Sequence, residues 1–166
     1  MSSSSSITSK LSRSEVAVGV TAALALLALL IPWYHITYAI GGQSFSAWDT
    51  GYGWMADLLV AGAGIYVVAS RVRPDGVALR LRPAMAVLGV TALGTLLVVI
   101  RLGSLPRAGS QSFAGVTLES HGPSAGIVLA LFAGIVQCVV ASLIVRGALR
   151  APTVSESSVL PEPSDV

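Results

Sequence analysis

The chain has 166 residues, of which 54% are hydrophobic and only 11% are charged. Soluble domains usually carry about 25% charged residues, so this composition excludes an ordinary soluble domain and predicts a small integral membrane protein. The ten Lys and Arg residues lie near the ends of apolar runs, so nucleic acid is not an expected partner, and the single cysteine, Cys138, excludes an intrachain disulfide and a Cys-based zinc site.

Four apolar runs predict four membrane-spanning helices. At about 1.5 Å per residue, a helix of about 20 residues crosses a hydrocarbon core of about 30 Å. The first run ends with Pro32, Trp33 and Tyr34 rather than with small residues. It is therefore predicted as a retained helix and not as a cleaved signal peptide. The predicted spans are residues 16–34, 54–70, 84–100 and 124–145.

The basic residues predict how these spans are oriented. Eight of the ten lie on the side that holds both termini and the loop 71–83. The other two, Arg101 and Arg107, lie on the opposite side, whose loops are residues 35–53 and 101–123. Short loops rich in Lys and Arg stay in the cytoplasm, so both termini are predicted to be cytoplasmic. The chain has nine Arg and one Lys, together with abundant Ala, Val and Gly, which is typical of a GC-rich genome. This composition favours a bacterial plasma membrane.

The two ends of the chain have compositions typical of disorder. Residues 1–15 are rich in serine, and residues 151–166 are rich in Pro, Ser and Glu. Such segments contain too little apolar surface to pack a core. The prediction is one four-span domain, residues 16–150, between two disordered cytoplasmic segments.

Four short matches in a common order indicate an internal repeat. Chance matches among Ala, Val and Gly are the alternative explanation. A true repeat predicts one helical hairpin of about 70 residues used twice, with a pseudo-twofold axis along the membrane normal. The same symmetry suits a plain four-helix bundle. The matches pair residues 19–22 with 89–92, 43–45 with 111–113, 63–65 with 133–135, and 67–70 with 139–142.

The first outer loop is the most aromatic part of the chain. All three tryptophans and three of the four tyrosines lie between residues 31 and 57. A glycine pair at 41–42 between two alternating runs predicts a β-hairpin, whereas Ser46 with Asp49 would instead cap a short interfacial helix. The rings are either membrane anchors or a contact for a partner protein or an apolar ligand. The candidate contact residues are Trp48, Tyr52, Trp54 and Asp57.

Few residues are candidates for chemistry. Asp57 lies in the predicted first turn of the second span, where the helix dipole favours a carboxylate. A capping or interfacial role is predicted for it, and a coupling site is the alternative. His35 and His121 come from different loops without ligand spacing, so no metal or cofactor is expected. No catalytic motif is recognised, and the chain is not predicted to be an enzyme.

The fourth span carries small residues at four-residue spacing. This stripe predicts a helix-packing face, used within the chain or with a second copy. Gln137 lies beside the stripe, one to two turns from the predicted cytoplasmic end. Its amide needs a hydrogen-bond partner, and the candidates are Thr21, Thr91, Thr95 and Tyr66. The stripe consists of Gly126, Ala130, Gly134, Cys138 and Ser142.

The sequence Ile31-Pro32-Trp33-Tyr34, followed by Gly42 and by Ser46-Ala47-Trp48, resembles small four-span membrane proteins of actinobacteria. In those proteins a Pro-Trp-Tyr segment ends the first span and a Ser-Ala-Trp segment precedes the second. The resemblance covers the first hairpin and implies a fold but no activity. Claudin-like proteins and four-span disulfide-forming oxidoreductases are excluded because the loop lacks their cysteines.

Two functions follow as hypotheses. The first is an accessory or scaffold subunit of a membrane complex, in contact with the lipid bilayer and with another membrane protein or a second copy of itself. The alternative is a small transporter or channel subunit with a polar path near Asp57 and Gln137.

Overall fold

The computed structural model of the chain is mostly helical, as predicted, with a small antiparallel sheet at one end. Three of its helices, α2, α3 and α4, are long and apolar enough to cross a membrane. The helices are α1 Arg13–Ala28, α2 Gly53–Val72, α3 Leu81–Ser104 and α4 Ala125–Arg150. The structure describes residues 12–38, 41–49, 51–72, 81–105, 109–113 and 116–150. The tail 151–166 and residues 1–11, both predicted to be disordered, lie outside the described residues.

Helix α1 begins earlier than predicted because a capping box starts it. The Ser12 amide donates to Glu15 Oε2 at 2.8 Å, and Ser12 Oγ accepts from the Glu15 amide at 3.3 Å. These two bonds satisfy backbone groups that a helix start leaves unpaired. The prediction of disorder is therefore wrong for residues 12–15.

Helix α1 also ends earlier than predicted, at Ala28 rather than at Tyr34. Pro32 disfavours helical geometry in the residue before it. The indole Nε1 of Trp33 then donates to the Ala28 carbonyl at 2.9 Å, which satisfies one of the unpaired acceptors at the helix end. The chain from Leu29 to Trp33 forms a turn in which Leu29 and Trp33 are buried and Leu30 is exposed, and the first strand begins at Tyr34.

The four helices pack in a ring. Helices α1 and α3 each contact both α2 and α4, whereas α2 and α4 touch each other only slightly across the centre. The core at the end next to the sheet is built around Trp33, which is fully buried, and includes Tyr34 and Ile127. Small residues dominate the remaining core, so the helix backbones approach closely.

The sheet has four antiparallel strands in the order β2-β1-β4-β3. The predicted first hairpin is present, but Tyr38 pairs with Gly41, so the glycine pair belongs to the second strand and not to the turn. Gly42 is instead a strand residue, and a Cβ there would lie 3.3 Å from the Ile36 carbonyl. The second hairpin was not predicted. The strands are β1 Tyr34–Tyr38, β2 Gly41–Phe45, β3 Gly109–Phe113 and β4 Val116–Pro123.

The two hairpins place different strands at the edge of the sheet: the first hairpin places its second strand there, and the second hairpin places its first strand there. The match at residues 43–45 lies in β2, the second strand of its hairpin, whereas residues 111–113 lie in β3, the first strand of the other. Both strands are sheet edges, but they are not equivalent along the chain. The predicted tandem repeat is therefore not reproduced in the sheet.

Candidate functional site

Gln137 joins all four helices through its side-chain amide. It lies on α4 and is fully buried, with an exposed fraction of 0%. Its Nε2 donates to the Val60 carbonyl of α2 at 2.7 Å and contacts Thr91 Oγ1 of α3 at 3.4 Å. Its Oε1 accepts a bond of 3.0 Å from Thr21 Oγ1 of α1. The amide thus satisfies its polar atoms with three different helices, as an apolar surrounding requires.

Two of the four predicted partners of Gln137 are its partners in the structure, Thr21 and Thr91. Thr95 donates instead to the Thr91 carbonyl at 2.8 Å, and Tyr66 is 50% exposed on the outside of the helices. Gln137 also lies at the middle of α4 rather than near its end, because this helix continues to Arg150.

Glycines close the space around this amide. A Cβ at Gly64 would lie 2.6 Å from Ala22 Cβ and 3.3 Å from Gln137 Nε2. A Cβ at Gly94 would lie 2.9 Å from the Ala56 carbonyl. The backbones therefore fill the space between the helices at this depth, and the amide serves as an interhelical crosslink.

The small-residue stripe of α4 faces other parts of the same chain. A Cβ at Gly126 would lie 2.5 Å from the Ile31 carbonyl, and one at Gly134 would lie 2.6 Å from Thr95 Oγ1. Cys138 Sγ lies 3.6 Å from the same Thr95 hydroxyl. Ala130 is buried in the core, and Ser142 bonds to the Val139 carbonyl of its own helix.

Asp57 is fully buried, so its carboxylate is not exposed for the predicted contact with a partner or ligand, and it does not cap α2. Helix α2 begins at Gly53, so Asp57 lies in its second turn, beyond the unpaired amides of the helix start. It shares a face with Gly64, two turns further on, which contacts α1 and α4. Neither carboxylate oxygen has a hydrogen-bond partner among the described residues. Asp57 is buried because it lies on the face of α2 that packs against α1 and α4, although it is only four residues from the start of the helix.

An aromatic surface lies where the first hairpin returns into α2. The rings of Trp48 and Trp54 are stacked, with centroids 5.6 Å apart and planes inclined by 16°. Trp48 is nevertheless 54% exposed, and Tyr52 is 36% exposed. The guanidinium of Arg101 lies 5.9 Å from the centre of the Tyr52 ring, within range of a cation–π interaction. We call these four residues the aromatic surface.

The segment before the aromatic surface is held in a tight turn. The amide and the hydroxyl of Ser46 both donate to Asp49 Oδ2, at 2.9 and 2.7 Å. These bonds hold the pKa of the Asp49 carboxyl below its usual value. Gly51 follows with a φ of 75°, a conformation that suits glycine, and allows the chain to turn toward Tyr52. Of the two alternatives for this loop, the hairpin is therefore present, and Ser46 and Asp49 close a turn rather than cap a short helix.

Arg101 is the member of the aromatic surface that the sequence did not predict. It lies on α3, far from the tryptophans along the chain, and Nη1 donates to Ser104 Oγ at 3.1 Å. Its buried Nε has no hydrogen-bond partner among the described residues. The sequence marks Arg101 only by its isolated position, as a single charged residue at the end of the third apolar run.

The two histidines lie on opposite faces of the sheet. His35 pairs with Gly122, and His121 pairs with Ile36. Paired residues share a face while successive residues alternate, so the two imidazoles point apart. His121 lies beside the Tyr34 ring, with centroids 6.4 Å apart. The part of the chain that the structure describes contains no group of three or more His, Cys, Asp or Glu that could hold a metal.

Three features of the described residues are therefore candidates for a functional role. They are the Gln137 crosslink, the unpartnered carboxylate of Asp57 and the aromatic surface. The chain matches none of the protein-family models, curated proteins or solved structures with which it was compared.

Proposed function

We propose that this chain is a four-span protein of the plasma membrane that serves as an accessory or scaffold subunit of a membrane complex. Helices α2, α3 and α4 have the length and apolarity for three of the spans. Helix α1, with 16 residues, covers about 24 Å. The turn that continues from Leu29 to the buried Trp33 supplies the remaining thickness of a core of about 30 Å.

The orientation follows from the distribution of positive charge. The side with eight of the ten basic residues faces the cytoplasm, together with both termini. The ion pair between Glu15 and Arg71 supports this arrangement, because it joins the start of α1 to the end of α2 on one side of the membrane. The sheet and the aromatic surface then lie on the outer side.

Helix contacts support a tandem origin of the two halves. Gly64 of α2 packs on Ala22 of α1, and Gly134, its match in α4, packs on Thr95 of α3, so each glycine faces the other helix of its own hairpin. Thr21 and Thr91 occupy matched positions in the two halves, and both contact the Gln137 amide. The repeated part would then be the helical hairpin, with the sheet strands diverging later.

The aromatic surface is the observation that carries the proposed role. Stacked, half-exposed tryptophans beside an arginine provide the residue types that contribute most to protein interfaces. The stack and the Ser46–Asp49 turn already restrict these side chains, so a partner would lose little additional conformational freedom on binding. The Gln137 crosslink keeps the helices beneath in one arrangement, as a scaffold requires.

The test is co-purification of a partner membrane protein in mild detergent. Trp48→Ala should reduce the co-purified partner by about tenfold, equivalent to about 1.4 kcal/mol. Phe132→Ala is the matched control, because Phe132 is a 58% exposed aromatic residue on α4. A strictly monomeric protein without a co-purifying partner, or equal losses for the two variants, would contradict the proposal.

A small transporter or channel subunit is the second candidate. The observation that favours it is Asp57, since an unpartnered carboxylate within a membrane span is costly and is usually kept for a task. The close packing around Gln137 weighs against a continuous path through the helices. Cation flux into proteoliposomes tests this candidate: Asp57→Asn should abolish the flux, and unchanged flux would remove the residue from the mechanism.

A further inference from the structure

A groove of about 320 Å³ lies between α2 and α3 on the outside of the helices. It is lined by Gly62 and Tyr66 of α2 and by Pro83, Ala86 and Val90 of α3, together with neighbouring apolar residues. A Cβ at Gly62 would meet no atom within 4 Å, so the groove exists because α2 has no side chain there. Apart from the Tyr66 hydroxyl, the lining side chains are hydrocarbon.

One end of this groove carries an unpaired positive charge. Arg82 precedes Pro83, and it shares a stripe of α3 with Ala86 and Val90 at four-residue spacing. It is exposed and makes no ion pair among the described residues, whereas Arg71 is bound to Glu15. Side chains on a helix lean toward its N-terminus, so Arg82 extends away from the apolar end of the groove.

The combination fits the two parts of a lipid molecule. The apolar lining lies at the depth of the hydrocarbon core, and the guanidinium lies at the depth of the headgroups, if the chain spans the membrane as proposed above. A cation near the surface attracts anionic headgroups by about 1 kcal/mol. The connection between α2 and α3 adds Arg73 and Arg80 against a single acid, Asp75, in the sequence.

We propose that this groove binds an anionic phospholipid of the cytoplasmic leaflet. One acyl chain lies along Gly62, Ala86 and Val90, and the phosphate contacts the guanidinium of Arg82. The site is separate from the aromatic surface, which lies at the opposite end of α2. Lipid bound there would cover the gap in the packing of α2 against α3.

Native mass spectrometry of the purified full chain, titrated with phosphatidylglycerol or phosphatidylcholine, tests the headgroup contact. The wild type should bind phosphatidylglycerol more tightly. Arg82→Gln should weaken that binding about fivefold and leave phosphatidylcholine unchanged. Arg146→Gln is the matched control, because Arg146 is also exposed near the cytoplasmic end of a helix. Equal effects of the two variants, or no preference for phosphatidylglycerol, would overturn the headgroup assignment.

Filling the groove tests the acyl-chain contact. Gly62→Leu should reduce the binding of both lipids at least fivefold, because its side chain would occupy the groove. Gly89→Leu is the control, since Gly89 is equally open, lies beside Val90 on α3 and is not part of the lining. Unchanged lipid binding in Gly62→Leu would refute the site. Circular dichroism verifies folding, and labelling of the C-terminal tail from either side of the membrane tests the topology separately.

Discussion

The hydroxyl of Thr21 on α1 donates a hydrogen bond of 3.0 Å to Oε1 of Gln137 on the neighbouring helix α4, in the interior of the helices. The same amide bonds to α2 and contacts α3, so a single side chain sets the register of all four helices. Hydrogen bonds between membrane helices contribute on average about 0.6 kcal/mol and at most about 1.7 kcal/mol each. Each bond is therefore weak by itself, and the network matters because one residue, Gln137, makes all three contacts.

Gln137→Leu should lower the free energy of unfolding by about 1–3 kcal/mol, because it removes three interhelical contacts at once. Unfolding in mixed micelles with increasing SDS measures the change. Ser142→Ala is the control, since its hydroxyl bonds only to its own helix, and it should change stability by less than about 0.5 kcal/mol. A double-mutant cycle with Thr21→Val should return a coupling energy of about 0.6–1.7 kcal/mol. Zero coupling would mean that the two side chains do not interact.

Asp57→Asn should raise the free energy of unfolding. The carboxylate is buried without a hydrogen-bond partner among the described residues, and burying an unpaired charge costs more than burying a neutral amide. We expect a gain of at least about 1 kcal/mol in the same SDS titration. Asp49→Asn should not stabilise, because Asp49 is exposed and accepts two bonds from Ser46. A less stable Asp57→Asn variant would indicate a favourable interaction of the carboxylate.

Gly126→Ala should destabilise the protein by about 1–3 kcal/mol, because the added methyl group would lie 2.5 Å from the Ile31 carbonyl. The backbone on both sides would have to move apart. Gly89→Ala should instead be neutral or stabilising by up to about 1 kcal/mol, since a Cβ there meets no atom and alanine favours the helix. Thermal unfolding in detergent compares the two variants. Equal effects would show that α4 does not approach the end of α1 closely.

Stability should depend on pH through the ion pair of Glu15 with Arg71. Burial alone would raise the pKa of the Glu15 carboxyl, but the hydrogen bonds from Arg71 and Ser12 and the charge of Arg71 lower it below its ordinary value of 4.5. A lowered pKa in the folded state stabilises the protein above pH 4.5, and this contribution is lost as the pH falls through the folded-state pKa. Glu15→Gln should therefore be less stable than the wild type at pH 7.

The pH dependence distinguishes this ion pair from a purely structural effect of the substitution. The difference in unfolding midpoint between wild type and Glu15→Gln should shrink as the pH falls below 4.5, because the wild-type carboxyl is protonated first in the unfolded state and then, at its lowered pKa, in the folded state. Asp49→Asn is a useful comparison, because Asp49 also has a lowered pKa but lies at the other end of the helices. A difference that stays constant from pH 7 to pH 3 would contradict a role for the charge.

The features that depend on local sequence could be predicted, and those that depend on distant contacts could not. Apolar runs predicted the helices, and the need of a buried amide for partners predicted Thr21 and Thr91 as partners of Gln137. The end of α1 was missed because it depends on an indole hydrogen bond that only the folded turn provides.

The candidate site was predicted only in part for the same reason. Trp48, Tyr52 and Trp54 were recognisable from their clustering in one loop. Arg101 joins them from another helix, and although its isolated position in an apolar run was visible, no local pattern reveals its contact with Tyr52. The burial of Asp57 follows from the face that α2 turns toward α1 and α4, and not from its distance to the helix end. The second hairpin of the sheet is stabilised by β1, so its own sequence did not suffice to predict it.

Site-specific photocrosslinking in native membranes tests the proposed scaffold role most directly. A photoreactive phenylalanine analogue placed at position 48 should crosslink to one membrane protein partner, because Trp48 is the most exposed ring of the aromatic surface. The same analogue at position 132, an exposed aromatic position on α4, should give mainly lipid adducts. Lipid adducts alone at both positions would contradict the account and leave the aromatic surface as a membrane anchor.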